Sequence, residues 1–363
     1  MDRRRFLKNA IAGIAAAGCG VLGWNYFYDQ SLRQYSRELY SRKPLKVRYK
    51  GVCYGLSPSF YRPPYPGPSL DSLIQRDFQI IHDELGCNSL RIWSDQNERI
   101  ITSAHMAADE GFDKIIPSPR YMDSTTEETI TNLSQLTKKI GFGKFSSVVV
   151  LAVGNELTVD ARGIYPGFNY WERVSQIEKR QNDKTCQKKL EGLLRDLISA
   201  ARANTDLDLT YAAGSWEWMM PWDDLELDIL GDNHYWYKDY GDPKDPENDY
   251  MKHIEHYRQF RKPYFITEFG SGPCVQAFDR GGWRCSGISS TYGTEDGENA
   301  QARDIETYMG MFNMAHDTGL GMDGCFMFDY YDRDSQIVDT GNPATASRPR
   351  KAFYMYKSYQ RAT

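Results

Sequence analysis

Val148-Val149-Val150-Leu151-Ala152-Val153-Gly154-Asn155-Glu156-Leu157 is the stretch whose reading decides the fold. Five of its first six residues are β-branched or leucine. The run is too short for an ordinary helix and follows the glycines of Gly141-Phe142-Gly143, so it reads as a strand buried on both faces. Gly154, Asn155 and Glu156 end it. A carboxylate at the carboxyl end of a buried parallel strand lies where α/β barrels keep their chemistry, which makes Glu156 a catalytic candidate. The alternative is that Gly-Asn-Glu is only a strand-ending turn and Glu156 is solvated. A second stretch, Lys262-Pro263-Tyr264-Phe265-Ile266-Thr267-Glu268-Phe269-Gly270, repeats the design: a short apolar run leads to a glutamate and a glycine. Two strand-terminal glutamates imply one site.

Outward from these two strands, short apolar runs alternate with longer polar segments of helical character. The expected strands are Tyr49 to Gly55, Asn88 to Trp93, Phe112 to Pro117, the Val148 run, Leu209 to Gly214, Ile229 to Tyr235, the Tyr264 run, and Gly324 to Asp329. A Pro-rich loop from Pro58 to Pro68 precedes a helix with Ser69 and Asp71 as capping candidates, carrying Leu73, Ile74, Phe78, Ile80 and Ile81. Residues Ile100 to Glu110 and about Asp183 to Asn204 read as helices; Leu190, Leu193, Leu194 and Ile198 recur at helical spacing in the second. Eight strands with intervening helices predict an α/β protein, a (β/α)₈ TIM barrel formed as a single domain over residues 45–363. No repeat, linker or composition shift marks a second domain.

Composition narrows the function. With 44 basic and 49 acidic residues the formal net charge is −5, so the broad positive field that a phosphate backbone rewards is missing and nucleic acid is not expected as a partner. The 8 Trp, 25 Tyr and 16 Phe supply flat faces on which sugar rings stack, a compositional hint toward a carbohydrate substrate.

Arg3-Arg4-Arg5-Phe6-Leu7-Lys8, followed by a mildly apolar run from Ala10 to Trp24, has the layout of an export signal and resembles the twin-arginine type. The run is short for a membrane span. Ala16-Ala17-Gly18-Cys19 also resembles a lipobox, with Ala where Leu is more usual. Residues 1–24 are therefore expected to direct export to the periplasm or the extracellular space, or to anchor a lipoprotein, and residues 25–44 to act as a spacer. Any membrane attachment would run through this segment alone. Of the remaining six cysteines, Cys274 and Cys285 flank a Gly-rich loop after the Glu268 strand and are the expected disulfide. No Cys or His spacing suggests a structural metal, and no cofactor is expected.

Gly-Asn-Glu ending the fourth strand and Thr-Glu-Phe-Gly ending the seventh resemble the acid/base and nucleophile signatures of clan A glycoside hydrolases, the retaining (β/α)₈ enzymes. Leu85-Gly86-Cys87-Asn88-Ser89-Leu90-Arg91 resembles that clan's second-strand pattern, and Asp232-Asn233-His234-Tyr235 its sixth. The resemblance covers most of residues 47 to 361. Val-Gly-Asn-Glu is similar to the β-1,3-glucanases of family 17 and to fungal glucanosyltransferases, whereas Asn-x-Tyr is similar to the β-galactosidase and β-glucuronidase family; the whole resembles the catalytic domains of families 17, 5 and 2.

The resemblance implies that Glu268 is the nucleophile and Glu156 the acid/base, roughly 5 to 5.5 Å apart. Arg91 and Tyr235 would favour an ionised Glu268, and the charge of Glu268 would keep a proton on Glu156. Asn155 would hold a sugar 2-hydroxyl and His234 would contact the site. The clan's eighth-strand tryptophan is missing; Phe326, Phe328, Tyr330 and Tyr331 stand there instead, with Tyr330 as the candidate for substrate binding. Trp216, with Trp218 and Trp222, is a candidate for stacking from another side, although core packing explains such residues equally well. The competing reading of Arg91 is a surface ion pair, and of His234 a packed strand histidine. The function expected is retaining hydrolysis of a β-linked glycan. A transglycosylase on the same residues, or a non-catalytic glycan-binding barrel, are the alternatives.

Overall fold

Eight strands are buried almost end to end: β1 Tyr49–Gly55, β2 Ser89–Ser94, β3 Lys114–Pro119, β4 Val150–Asn155, β5 Asp208–Gly214, β6 Leu230–Asn233, β7 Tyr264–Phe269 and β8 Gly324–Met327. In the computed structural model, which describes residues 44–56, 70–141, 143–235, 253–275, 291–330, 338–339 and 348–360, they pair in the order β3-β2-β1-β8-β7-β6-β5-β4. Every pairing is parallel. A parallel bridge between Ile115 and Val149 brings the two outer strands together, so the sheet rolls into a (β/α)₈ barrel. All eight expected strands are present. Val148 belongs to a 3₁₀ turn, Gly143–Val148, rather than to β4, which starts at Val150.

Alternation along each strand sends one set of side chains inward and the other toward the helices. The inward set includes Cys53, Trp93, Ile116, Val150, Ala152, Phe265, Phe326 and Phe328, which fill the barrel as a packed core. Glycine on β1 makes that possible. A Cβ on Gly51 would sit 2.4 Å from the Phe326 ring, and one on Gly55 2.5 Å from Trp93, so two large rings occupy space that two glycines vacate.

Besides short helical pieces at Tyr170–Val174, Ile177–Arg180 and residues 253–258, the outer layer includes α1 Leu70–Gln79, α2 Asn97–Glu110, α3 Thr126–Lys139, the single turn α4 Leu157–Asp160, α5 Lys184–Arg202, α6 Glu295–Asp317 and α7 Lys351–Gln360. α1 runs on into a π-helical turn, Ile80–Glu84, and so carries Ile80 and Ile81 beyond its α-helical end. α3 opens with a capping box, Thr125 with Glu128, which satisfies two otherwise orphaned donors. α5 starts after Asp183, whose carboxylate accepts from the Thr185 and Cys186 amides, and buries Leu190, Leu193, Leu194, Leu197 and Ile198 as one stripe. Between β5 and β6 the connection holds two 3₁₀ turns, Ser215–Glu217 and Trp222–Asp224, in place of a helix.

Residues 1–43, with the expected export signal and nearly all of the spacer, lie outside the described residues, as do the Pro58 to Pro68 loop and Cys285. The Cys274–Cys285 bridge thus remains a proposal. Cys53, Cys87, Cys186 and Cys325 are buried free thiols. Among the described residues no helix is long and apolar enough to cross a membrane.

Candidate active site

Strand irregularities gather at the carboxyl ends of the barrel. Register shifts fall between Ala152 and Asn155 of β4, between Asp232 and Asn233 of β6, and between Ile266 and Phe269 of β7. Such bulges re-aim side chains at strand ends. Here they flank Asn155, Asn233 and Glu268.

Glu156 follows β4 in the left-handed region, at φ 39 and ψ 49. For a residue with a Cβ that conformation costs on the order of 1 kcal/mol. Its backbone is held on both sides: the amide donates to the Ala212 carbonyl at 2.9 Å, and its own carbonyl accepts from Val159 and Asp160 at the start of α4. The carboxyl is buried and, among the described residues, accepts one hydrogen bond, from Asn233 Nδ2 at 3.0 Å. Burial, and then the Glu268 charge, push its pKa up to about 8, against the smaller opposing effects of Arg120 and the Asn233 hydrogen bond.

Glu268, near the end of β7, is buried differently. Arg91 Nη1 reaches Oε1 at 2.5 Å, and the Tyr235 hydroxyl donates to Oε2 at 2.9 Å. The Arg91 and Glu268 side chains are 1% and 7% exposed, which removes the surface ion pair as a reading of Arg91. Burial and the Glu268 charge hold the Tyr235 phenol well above its ordinary value, so it remains a donor.

One continuous set of hydrogen bonds joins the two glutamates. Arg91 Nη2 donates to Ser118 Oγ at 3.1 Å and to Asn155 Oδ1 at 2.7 Å; the same Asn155 oxygen accepts from Asn233 Nδ2 at 3.1 Å, and Asn233 reaches Glu156. Thr267 fixes the Asn233 amide by donating to Oδ1 at 2.8 Å. Asn155 Nδ2 donates to Asp160 at 3.2 Å, and Asp160 is paired with Arg120. Arg91, Asn155, Glu156, Tyr235 and Glu268, drawn from four separated stretches of chain, therefore meet.

The remaining expected residues are placed otherwise. His234 does not present its ring to either glutamate. Its alternation with Asn233 and Tyr235 turns it to the other face of β6, where Nδ1 lies 2.9 Å from Asp232 Oδ2; its backbone amide donates to the Glu268 carbonyl of β7. Burial lowers its pKa to about 4. Tyr330 is buried against Tyr54, whose hydroxyl donates to Asp77 of α1, so it packs toward the helix layer. Phe328 takes the inward position that Tyr330 was expected to hold, stacked on Trp93 at 6.3 Å and 18° and edge-on to Tyr235. Trp216 is half-buried and donates to Thr158 Oγ1 at 2.8 Å, two residues past Glu156.

Sequence reasoning passed over Asn233, Arg120, Asp160 and Asp329. Asn233 was legible as the inward partner of Tyr235 two residues on, and Arg120 as the first polar residue after a buried strand. Asp329 accepts from Trp93 Nε1 at 3.0 Å. A third buried glutamate, Glu217, has its pKa raised by burial to about 6. It accepts from the Thr158 amide and hydroxyl, the Tyr211 hydroxyl and the Gly214 amide, and this saturation marks it as structural.

No known family model matches the sequence, and no curated protein does. Solved structures do. A GH113 β-1,4-mannanase superposes with a TM-score of 0.56 at 14% identity, covering 86% of this chain and 99% of that one. A calcium-binding mutant of Bacteroides uniformis β-glucuronidase 2 gives 0.57 at 16% identity over 88% of this chain, and the Bifidobacterium dentium β-glucuronidase complexed with coumarin-3-O-glucuronide gives 0.54 at 15% over 86%. The matches span 35% and 46% of those two longer chains. At such identities the likeness is one of fold: this chain is a (β/α)₈ barrel of the kind found in these mannan- and glucuronide-named proteins.

Proposed function

We propose that the protein is a retaining β-glycoside hydrolase in which Glu268 attacks the anomeric carbon and Glu156 protonates the leaving oxygen. The observation that carries this reading is the unequal pair: two buried glutamates end β4 and β7 within one hydrogen-bond network, one bound to a guanidinium and a phenol, the other nearly bare with its pKa raised to about 8. A general acid must hold its proton, as the raised pKa of Glu156 provides, and a nucleophile needs a cation and a hydrogen-bond donor beside it, as Arg91 and Tyr235 are beside Glu268. After the glycosyl-enzyme ester forms, Glu156, now ionised, takes a proton from water, which cleaves the ester and returns Glu268. Asn155 and Trp216 are the residues of this chain proposed to meet the sugar. Export through the Arg3-Arg4 segment belongs to the same reading, and replacing both by Lys should leave the protein in the cytoplasm.

The test is a screen of the mature protein against β-glucans, mannans, galactans and aryl β-glycosides, with the anomer of the first product followed by NMR. Retention of β configuration is expected. Release of the α anomer, or a crystal structure with the two carboxyl groups more than about 7 Å apart, would sink the retaining assignment. Products longer than the substrate would mean that an acceptor sugar outcompetes water on the same residues.

A further inference from the structure

Behind the catalytic face of β6 lies a second cluster that the proposed reaction does not use. Asp232 is fully buried, and its Oδ2 collects three neighbours: His234 Nδ1 at 2.9 Å, the Tyr264 hydroxyl at 3.1 Å and His253 Nε2 at 2.8 Å. His253 belongs to the helical residues 253–258 that precede β7. The two imidazoles lie 4.3 Å apart, centroid to centroid.

Hydrogen bonding does not account for this group. His253 Nε2 lies at ion-pair distance from Asp232 Oδ2 but off hydrogen-bond alignment, and among the described residues neither Asp232 Oδ1 nor the hydroxyl of Tyr257, whose ring borders His253 at 5.3 Å, has a hydrogen-bond partner. Two buried polar atoms without partners beside a misaligned imidazole–carboxylate pair need an explanation, because such atoms are rare in folded proteins. A nitrogen that approaches an oxygen closely without aligning on it is the geometry of two donors aimed at a common third atom. One donor atom each from Asp232, His234 and His253 lies within 4.8 Å of the others, the one such convergence among the described residues. Ligands at about 2.0–2.2 Å from a tetrahedral ion are ~3.4 Å apart, so closure needs small side-chain rotations only.

We propose that Asp232, His234 and His253 bind a divalent transition-metal ion of the zinc class. Two imidazole nitrogens and one carboxylate suit zinc, whereas calcium and magnesium call for oxygen ligands. The ion would staple β6 to the helix before β7. It would lie on the opposite face of β6 from Asn233 and Tyr235, so it is a structural site and takes no part in the sugar chemistry. Tyr264, donating to Asp232, would orient the carboxylate from outside the ligand set.

The test uses the untagged full chain, stripped with EDTA, dialysed against zinc chloride, desalted and assayed for metal. One zinc per chain is expected, with a rise in melting temperature on adding zinc. His253→Ala should bind at least about 10-fold more weakly and lose the thermal shift. Asp232→Asn offers a second variant if the first fails to fold. For the unaltered protein, cobalt should give the visible absorption of a tetrahedral nitrogen and oxygen site, bleached by one equivalent of zinc. Failure of the stripped protein to take up zinc or cobalt would overturn the proposal, as would uptake that neither substitution changes; the cluster would then be a hydrogen-bonded pair of imidazoles and nothing more.

Discussion

The ends of β4 and β7 carry the same local design, an apolar run closing on a glutamate, and yet the two carboxyl groups meet different surroundings. At β7 the carboxylate meets Arg91 from β2 and Tyr235 from beyond β6. At β4 it meets one amide, and its pKa rises to about 8. The strand's own sequence therefore decides where a carboxyl is delivered, and other strands decide what it is.

The comparison breaks most visibly if Glu268 is removed. Glu268→Ala should lower kcat by at least about 10⁴-fold and abolish the trapped glycosyl-enzyme, since no other group reaches the anomeric carbon. Azide should restore turnover of an activated substrate as the α-glycosyl azide. Trapped sugar on Glu156 would reverse the roles.

Glu156→Ala should cost about 10²–10⁴-fold on substrates whose leaving group needs a proton and far less on those that depart without one. Azide should then give the β-glycosyl product. An equal loss on both classes of substrate would show that Glu156 acts on something other than the leaving group.

How much of this contrast was legible in the chain depends on the range of the interaction concerned. Glu156, Asn155 and Glu268 could be read because a strand end is a local pattern of about ten residues. Arg91 and Tyr235 needed the family resemblance, since nothing within either stretch says which carboxylate it will meet. Tyr330 lies beyond the end of β8, where strand alternation no longer applies: Phe328 holds the inward position and Tyr330 turns to Tyr54. His234 is turned away by alternation, one residue from the inward Asn233. The Asp232–His234–His253 cluster joins positions 19 residues apart with no recognisable ligand spacing, and only the packing of a helix against β6 brings them together. α3 escaped notice because its buried face is thin and half polar, Thr129, Leu133, Leu136 and Thr137.

Asn233 sharpens the comparison because it touches the β4 glutamate and the Arg91 network at once. Glu156 is competent while protonated, so kcat/KM should fall as pH rises through about 8. The Asn233 hydrogen bond opposes that elevation. Asn233→Ala should lower kcat/KM by about 10-fold and move the alkaline limb to higher pH. A limb that moved downward would mean that Asn233 stabilises the protonated carboxyl instead.

The smallest expected effect is on stability, and its sign separates the two glutamates without any substrate. Glu156 has a folded pKa of about 8 against an ordinary value of 4.5. The folded state thus holds a proton that the unfolded chain has lost over that interval, and stability tied to this group is complete below the unfolded value and falls as pH rises through the folded one. Glu156→Gln removes the titration while keeping the shape of the protonated acid. Its melting temperature should match the unaltered protein near pH 4 and exceed it by several degrees at pH 9. Glu268→Gln should do the reverse in sign, since it strands Arg91 with a buried, unpaired charge; the cost of breaking such a pair is about 3–5 kcal/mol. A Glu156→Gln advantage independent of pH would mean that the β4 carboxyl is ionised throughout, and the asymmetry between the two strand ends would fall with it.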